Sequence, residues 1–457
     1  MKLLLKGGTV VSAAGSKIAD LLIEDEKIVR VGQDLTDAEA TVVPMEGKLL
    51  FPGFIDAHTH FDLDVCNTTT ADNFDTGTRS ALRGGTTMVV DFACPNKGET
   101  LQYGLDLWHK KADGRSSCDY SFHMTIDDWN DEIKAEVPKM FEQGISSFKM
   151  YMTYPAMMIG DKDLFYALEE IKKYGGIAGV HCENAGVIDA LIEQHKADGK
   201  LAPGSHPECR PNATEAEAVA HLLRICEVAD TPVVIVHLST KEALAEVMAA
   251  RARGQKVYVE TCPHYLTLDE SGYYEADFRK AAGYICAPPL RTKDDQNALW
   301  KGLYNGAIQT VSTDHCSFTL EQKEAGRGDF TKIPGGLPGV ETRGVLLYTF
   351  GVAAGKITKE KMAEVLSENP AKLYGAWPRK GAILAGSDAD IVVYDPRASH
   401  VIRADDSLSR SDYNPYEGFV TTGGITQVYL RGRLAVDQGA VLPAPDGRYL
   451  PRGKNSL

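Results

Sequence analysis

The sequence predicts a (β/α)8 TIM barrel that carries a small β-sandwich domain built from both ends of the chain. Three observations support this α/β fold class. The 457 residues divide into β-rich ends and a middle region where short apolar runs alternate with helical patterns. The apolar runs are nearly continuous, as the strands of a buried parallel sheet require. We count eight such runs, which is the strand number of a (β/α)8 barrel.

Composition excludes several other classes of protein. Apolar residues make up 43% of the chain and charged residues 25%, as in an ordinary globular protein. The formal net charge of −14 argues against nucleic acid or an anionic membrane as a partner. No apolar run reaches the roughly 18 residues that span a bilayer. The cysteines form no CxxC pair and the N-terminal apolar stretch is too short for a signal peptide, so we expect a cytoplasmic protein.

Both chain ends have the pattern of a β-sandwich. Residues 1–50 contain short β-rich runs separated by Gly, Ser and Asp. Residues 376–457 repeat this pattern, with strands predicted over Asp390–Tyr394 and Gln427–Arg431. Because chain termini often lie close together, we expect the two ends to pair into one β domain.

The middle region, residues 51–375, is predicted to form the barrel. Its strands are predicted at Phe54–Ala57, Met88–Phe92, Tyr120–Thr125, Ser147–Met150, Ile177–His181, Val233–His237, Lys256–Glu260 and Gln309–Asp314. Helical spacing of apolar residues predicts a helix over Asp161–Tyr174, with Asp161 or Asp163 as its N-cap. The alternative is a doubly wound open sheet, but no GxGxxG motif opens a helix after any of these strands.

Polar groups follow the carboxyl ends of five predicted strands. The motif His58-Thr59-His60 follows the first, and strand alternation places both imidazoles on the same side of the chain. Alone, such a motif is common by chance. The other groups at or just past strand ends are Lys149, His181, His237 and Asp314. Because side chains from different strands converge at this end of a barrel, we expect a metal site there.

Lys149 lies inside an apolar run, where a charged amine is costly unless it is paired or neutral. Burial lowers the pKa of a lysine, and a neutral amine can add carbon dioxide to give a carbamate. A carbamate would be a carboxylate on a long arm, suited to bridging two cations. A lysine that extends its amine to solvent, or that pairs with a nearby carboxylate, is the alternative.

Several segments together resemble the dihydropyrimidinase and D-hydantoinase (phenylhydantoinase-like) family of the amidohydrolase superfamily. They are Phe51–His60, Phe148–Tyr154, His181–Asn184, His237–Ser239, Thr313–His315 and the closing Gly386–Asp390. The likeness covers nearly the whole chain. It implies an enzyme that opens a 5,6-dihydropyrimidine or a 5-substituted hydantoin to the N-carbamoyl amino acid, with a hydroxide bridging two metals as the nucleophile. It also implies a homotetramer whose C-terminal tail could reach a neighbouring subunit.

The resemblance implies a site with two Zn²⁺ ions, for which Mn²⁺ could substitute. His58, His60 and Asp314 would hold one ion, and His181 and His237 the other. A carbamylated Lys149 would bridge the two, as would the hydroxide. Asp314 would also carry the proton to the leaving nitrogen, and Tyr154 would donate a hydrogen bond to the developing oxyanion.

Two positions depart from the family pattern at the expected substrate edge. Ala287 stands where a serine is common, and Gly335 stands where an asparagine is common. The preferred ring therefore differs unless these contacts are made by the backbone. Allantoin, dihydroorotate or another cyclic ureide is an alternative substrate. A non-catalytic tetrameric relative is a further alternative, although such relatives lose the metal ligands and all six positions are filled here.

Overall fold

The computed structural model describes residues 2–443 and 447–457. In chain order the strands are β1 Lys2–Ser12, β2 Gly15–Glu24, β3 Lys27–Gly32, β4 Thr41–Pro44, β5 Leu49–Pro52, β6 Phe54–Thr59, β7 Asp64–Val65, β8 Thr68–Thr69, β9 Thr86–Ala93, β10 Asp119–Thr125, β11 Ser147–Tyr151, β12 Ile177–His181, β13 Val233–Ile235, β14 Val257–Thr261, β15 Thr310–Val311, β16 Ile391–Asp395, β17 Gly424–Leu430, β18 Arg433–Asp437 and β19 Ala440–Val441. The α-helices are α1 Phe74–Arg83, α2 Leu101–Ala112, α3 Asp131–Glu142, α4 Asp161–Lys173, α5 Ala185–Ala197, α6 Ser205–Glu208, α7 Asn212–Ala229, α8 Lys241–Ala252, α9 Pro263–Thr267, α10 Phe278–Ala282, α11 Lys293–Tyr304, α12 Leu320–Glu324, α13 Arg343–Leu347, α14 Lys359–Ala363 and α15 Asn369–Leu373.

Eight strands form the predicted parallel barrel. Their order is β6-β9-β10-β11-β12-β13-β14-β15, so each strand pairs with the next along the chain. A parallel bridge between Thr59 and His315 joins the last strand region to the first. There the His60 amide donates to the His315 carbonyl at 2.8 Å. The (β/α)8 prediction is therefore confirmed, and the carboxyl ends of the eight strands share one face.

Short polar residues define most helix starts. Asn73, Thr100, Asn130 and Thr240 each accept a backbone N–H of the helix that follows, as N-caps do. The helix predicted over Asp161–Tyr174 is present as α4, Asp161–Lys173, but its predicted N-cap is wrong. Gly160 is the N-cap and makes no side-chain bond. The two aspartates that we expected to cap α4 lie instead in its first turn, where the positive end of the helix dipole favours a carboxylate.

Strands from both chain ends form one nine-stranded sheet. Its order is β19-β18-β17-β16-β5-β1-β2-β3, with β4 also paired to β1. The junction is the antiparallel pair of β5 and β16. Leu5, Ile23, Ile391 and Val393 pack in a common core, so apolar burial joins the two ends as predicted. Because β5 runs to Pro52, we propose Pro52 as the limit of the first β segment, two residues beyond the predicted boundary.

The C-terminal residues 447–457 lie against the barrel of their own chain. The Tyr120 amide donates to the Arg448 carbonyl at 3.0 Å, and the Leu450 amide donates to the Tyr120 carbonyl at 2.8 Å. The buried Arg452 guanidinium donates to Ser121 Oγ at 2.8 Å and to the Tyr374 carbonyl at 3.0 Å. The tail thus covers the amino-terminal end of β10, opposite the predicted catalytic face. None of the helices in residues 2–443 and 447–457 combines the length and the apolar composition that a membrane-spanning segment needs.

Candidate active site and metal centre

All six residues proposed from the sequence as metal ligands line one cavity of about 420 Å³. The cavity opens at the carboxyl ends of the barrel strands. His58 belongs to β6, Lys149 to β11 and His181 to β12, while the other three follow their strands by one to three residues. Five strands therefore deliver nitrogen and oxygen donors to a single space, which is the arrangement that barrel enzymes use for catalysis.

One half of the cluster is formed by two imidazoles and a carboxylate. His60 Nε2 lies 3.0 Å from Asp314 Oδ1, and His58 Nε2 lies 3.2 Å from the same oxygen. The two imidazole centroids are 5.2 Å apart. Alternation along an extended chain therefore does turn His58 and His60 toward one point.

The other half contains His181, His237 and Lys149. The imidazole centroids of His181 and His237 are 4.5 Å apart, and those of His237 and His58 are 5.4 Å apart. The Lys149 amine lies above the rings of Phe92 and Tyr151, at 5.2 and 5.0 Å from their centroids. Burial lowers the pKa of Lys149 to about 8, although nearby carboxylates oppose the shift. This amine is thus easier to deprotonate than an exposed lysine.

Two buried carboxylates behind the histidines were not identified as functional from the sequence. Glu260 Oε1 lies 2.6 Å from His58 Nδ1, and Glu183 Oε2 lies 2.7 Å from His181 Nε2. Arg210 donates to the same Glu183 oxygen at 2.7 Å. A carboxylate that accepts the N–H of one ring nitrogen leaves the other nitrogen free to bind a cation. Glu260 could have been found, because it lies near the carboxyl end of a predicted barrel strand.

Three of the site residues predicted from the sequence have left-handed backbone conformations. The φ angles are 39° at His237, 50° at Asp314 and 67° at Tyr154. Residues other than glycine avoid this region, so positive φ values at a cluster of polar side chains indicate a functional constraint. The first two also explain why β13 and β15 end before the predicted Val233–His237 and Gln309–Asp314, since this backbone conformation breaks the strand.

The predicted substrate-contact residues line the same cavity. Tyr154 lies against His181, with 5.1 Å between the ring centroids, and the Arg210 guanidinium lies 5.7 Å from its ring centre. Ala287 and Gly335 are both in the cavity wall. A Cβ atom at Gly335 would meet no other atom within 4 Å, so the space beside it is open. Apolar side chains complete the wall: Leu63, Val65, Met157, Ile192, Ile285, Phe330, Ile333 and Leu337.

The chemistry of the donors fits bound cations. Ligand atoms of His58, His237 and Asp314 all lie within 4.8 Å of one another. Among the described residues, His58 Nε2, His60 Nδ1 and His237 Nδ1 are buried nitrogens without a hydrogen-bond partner. Buried polar atoms are normally satisfied, so these orphaned nitrogens indicate a ligand. Neutral imidazole with carboxylate is a donor set that zinc prefers.

Electrostatics at the cluster agree with that role. Burial lowers the pKa of His60 and of His237, which keeps both imidazoles in the neutral form that binds metals. Burial also acts on His58, but the Asp314 and Glu260 carboxylates outweigh it and raise the pKa to about 9. Burial opposes ionisation of Asp314, yet His58 and His60 hold the pKa of its carboxyl well below the ordinary value. A cation would displace the His58 proton and pair with this carboxylate.

Several known proteins are similar to this chain in both sequence and fold. The amidohydrolase family model matches residues 49–435. A D-hydantoinase of Streptomyces coelicolor is 42% identical over 456 residues, covering 98% of this chain and 97% of its own. A D-phenylhydantoinase of Escherichia coli is 40% identical over 458 residues, covering 99% of this chain and 98% of its own. The crystal structure of dihydropyrimidinase from Brevibacillus agri superposes with a TM-score of 0.98, at 41% identity, over 100% of both chains.

Proposed function

The chain belongs to the amidohydrolase family and, within it, to the hydantoinases and dihydropyrimidinases that hydrolyse cyclic amides; we propose that it does so with two divalent cations held by the six-residue cluster. The observation that carries this proposal is the set of buried imidazole nitrogens without a hydrogen-bond partner among the described residues, on histidines that line one cavity together with Asp314 and Lys149. A non-catalytic relative would have no reason to keep this costly arrangement.

We assign one cation to His58, His60 and Asp314, and the other to His181 and His237. Lys149 would bridge them after its neutral amine attacks carbon dioxide, forming an N–C bond and releasing one proton. Zinc suits these donors, and manganese is the expected substitute. When bound, such a pair of cations lowers the pKa of a shared water toward neutrality and polarises the carbonyl under attack.

Side chains of this protein perform the remaining steps. Asp314 takes the proton of the attacking water and delivers it to the ring nitrogen as the C–N bond breaks. The Tyr154 hydroxyl donates a hydrogen bond to the oxyanion that develops at the carbonyl. Its pKa is raised by burial, so the hydroxyl keeps its proton and remains a donor. The Arg210 guanidinium packs against the Tyr154 ring, and the Glu183 carboxylate bonds the His181 imidazole.

The substrate we propose is a 5-substituted hydantoin of the D series or a 5,6-dihydropyrimidine. Relatives named D-hydantoinase and D-phenylhydantoinase match over nearly their full length. The apolar wall and the open space beside Gly335 would accept an apolar substituent on the ring. These walls offer little to the polar ureido group of allantoin, which makes allantoin the weaker candidate.

The test is a substrate panel assayed on freshly purified protein. Dihydrouracil, hydantoin, D- and L-5-phenylhydantoin and allantoin are incubated with the enzyme before chelation, after it, and after reloading with zinc or manganese. We expect N-carbamoyl products from the hydantoins or dihydrouracil, loss of turnover on chelation and recovery on reloading. Protein that carries no metal when fresh and stays inert after reloading would refute the proposal.

Tyr154→Phe tests the oxyanion role within the same assay. We expect kcat to fall about a hundredfold with little change in metal content, because one hydrogen bond to the transition state is removed. Tyr166→Phe is the matched control, since Tyr166 is 47% exposed on α4. An unchanged kcat in Tyr154→Phe would remove this residue from the mechanism.

A further inference from the structure

Two loops of the cavity wall carry the expected substrate contacts without polar side chains. Ala287 lies on one loop and Gly335 on the other. Neither side chain can form a hydrogen bond, so any polar contact at these positions must come from the backbone. A contact of that kind depends on how the two loops are held relative to each other. One direct bond joins them, since the Gly336 amide donates to the Ile285 carbonyl at 2.9 Å.

A second connection between the loops is made by Lys323. Its amine donates to the Ile285 carbonyl at 3.2 Å and to the Pro334 carbonyl at 2.9 Å. These carbonyls lie two residues before Ala287 and one residue before Gly335. One ammonium group therefore joins both loops next to the positions at which the ring would bind.

Lys323 is an unusual residue for this place. It is fully buried, and its amine lies 5.8 and 5.9 Å from the ring centres of Phe318 and Tyr413. Over residues 2–443 and 447–457, no carboxylate forms an ion pair with it. Burial lowers its pKa to about 8. A buried cation without a counter-ion is costly, and here carbonyl oxygens and aromatic faces are what compensate for that cost.

We propose that Lys323 is a positioning residue for substrate recognition, which fixes the spacing of the backbone at Ala287 and Gly335 by holding both loops at once. The inference rests on the proposed function, because it concerns how the same cavity binds its ring. Tyr413 supports one side of this arrangement, since its hydroxyl donates to the Gly336 carbonyl at 3.4 Å. Lys323 touches none of the proposed metal ligands, so its role is separable from metal binding.

The experiment compares Lys323→Met with the wild type and with Lys332→Met. Methionine keeps an unbranched chain of similar size but donates no hydrogen bond. Lys332 is the matched control, because it lies in the same part of the chain and its side chain is 70% exposed. For Lys323→Met we expect KM to rise about tenfold, kcat to change by less than about threefold, and metal content to stay at the wild-type level. Amide hydrogen exchange should accelerate in both loops together, around residues 284–290 and 333–339.

The outcomes separate this inference from the proposed function. An active wild type with unchanged KM and unchanged exchange in Lys323→Met overturns the positioning role and leaves the enzyme assignment intact. A parallel loss of metal and kcat assigns Lys323 to general stability and also overturns it. A wild type that opens no ring refutes the proposed function, and the recognition role with it. If Lys323→Met does not fold, Lys323→Gln is measured in the same way. The glutamine arm is one bond shorter and is expected to lose at least one of the two carbonyl contacts, so an unchanged KM in this variant would also overturn the positioning role.

Discussion

The barrel contains buried charged clusters at both ends, and the two differ in what neutralises them. At the carboxyl end, His58, His237 and Asp314 have ligand atoms within 4.8 Å of one another, and His58 Nε2 and His237 Nδ1 are buried without a hydrogen-bond partner in the described part of the chain. At the amino end, Asp119, Asp388 and Asp390 likewise lie with oxygens within 4.8 Å of one another. Their donors alone would suit a hard cation such as calcium or magnesium.

The amino-end acids already have a cation of the protein between them. Lys380 Nζ lies 2.5 Å from Asp119, 3.0 Å from Asp388 and 2.6 Å from Asp390, and Arg431 also bonds Asp119. These pairs join the start of β10 to the β domain. Donor count therefore does not identify a metal site. What distinguishes the carboxyl-end cluster is that His58 Nε2 and His237 Nδ1 lack hydrogen-bond partners among the residues that the structure describes, while each acid of the other cluster is paired.

Lysine removal should have opposite consequences in the two clusters, and the largest effect is expected at Lys149. Lys149→Ala should lose activity by at least about a thousandfold, because in the proposed site both cations would depend on the carbamate formed on Lys149. Metal analysis should show loss of bound metal, and short carboxylates added to the buffer should restore part of the activity. Thermal stability of the metal-free protein should change little, since a costly buried amine is removed.

Lys162→Ala is the control, because Lys162 is exposed on α4. If Lys149→Ala kept both metals at wild-type occupancy, the carbamate would have to be abandoned.

Lys380→Met should have the reverse effect. Removal of the ammonium leaves Asp119, Asp388 and Asp390 buried without a full counter-charge, which costs on the order of 3–5 kcal/mol. Denaturant unfolding should therefore show a large fall in the free energy of unfolding. Folded Lys380→Met should still bind metal and turn over substrate, since the cluster lies at the opposite end of the barrel. Unchanged stability relative to Lys162→Met would contradict this account.

Much of this organisation was predictable, because it follows from local patterns. The continuous apolar runs located the eight barrel strands, and the rule that polar groups gather past strand ends located His58, Lys149, His181, His237 and Asp314. The pairing of β5 with β16 was predictable only as a joining of the two ends. Its register depends on a contact between residues more than 300 positions apart, such as Leu50 with Val393, which no local pattern encodes.

The residues that bond the proposed metal ligands and the cavity loops were not predictable from the sequence. Glu183 follows His181 by two residues, but its role depends on Arg210 arriving from the loop before α7. The position of Lys323 among carbonyls rather than carboxylates is likewise a property of tertiary packing. A single sequence indicates which residues have the chemistry to act, whereas the partners that tune them are set by how distant segments meet.

Glu260→Gln tests one of these partners, the carboxylate that accepts the N–H of the proposed metal ligand His58. The amide keeps the size of the carboxylate and can still accept the His58 N–H, but the negative charge is lost. Metal affinity should fall about 10- to 100-fold, as measured by competition with a chelator. Glu246→Gln on the exposed face of α8 is the matched control. An affinity equal to that of the control would show that Glu260 only fills space.

The smallest expected effect concerns acid stability at the amino-end cluster. Burial would raise the pKa of Asp388, but Lys380 and Lys27 outweigh it and lower the pKa from 3.8 to about 2. A carboxyl group with a lowered pKa in the folded state stabilises the protein above its unfolded pKa, and this contribution is lost as the pH falls toward the folded pKa. Wild-type stability should therefore decline between about pH 4 and pH 2 in part through Asp388.

Without Lys380 the pKa of Asp388 rises toward its ordinary value or beyond, so Lys380→Met should show a weaker decline over the same interval. Unfolding free energies of the two proteins at about pH 6 and about pH 3 measure this difference. A decline of equal size in both would mean that Lys380 does not control the ionisation of this cluster.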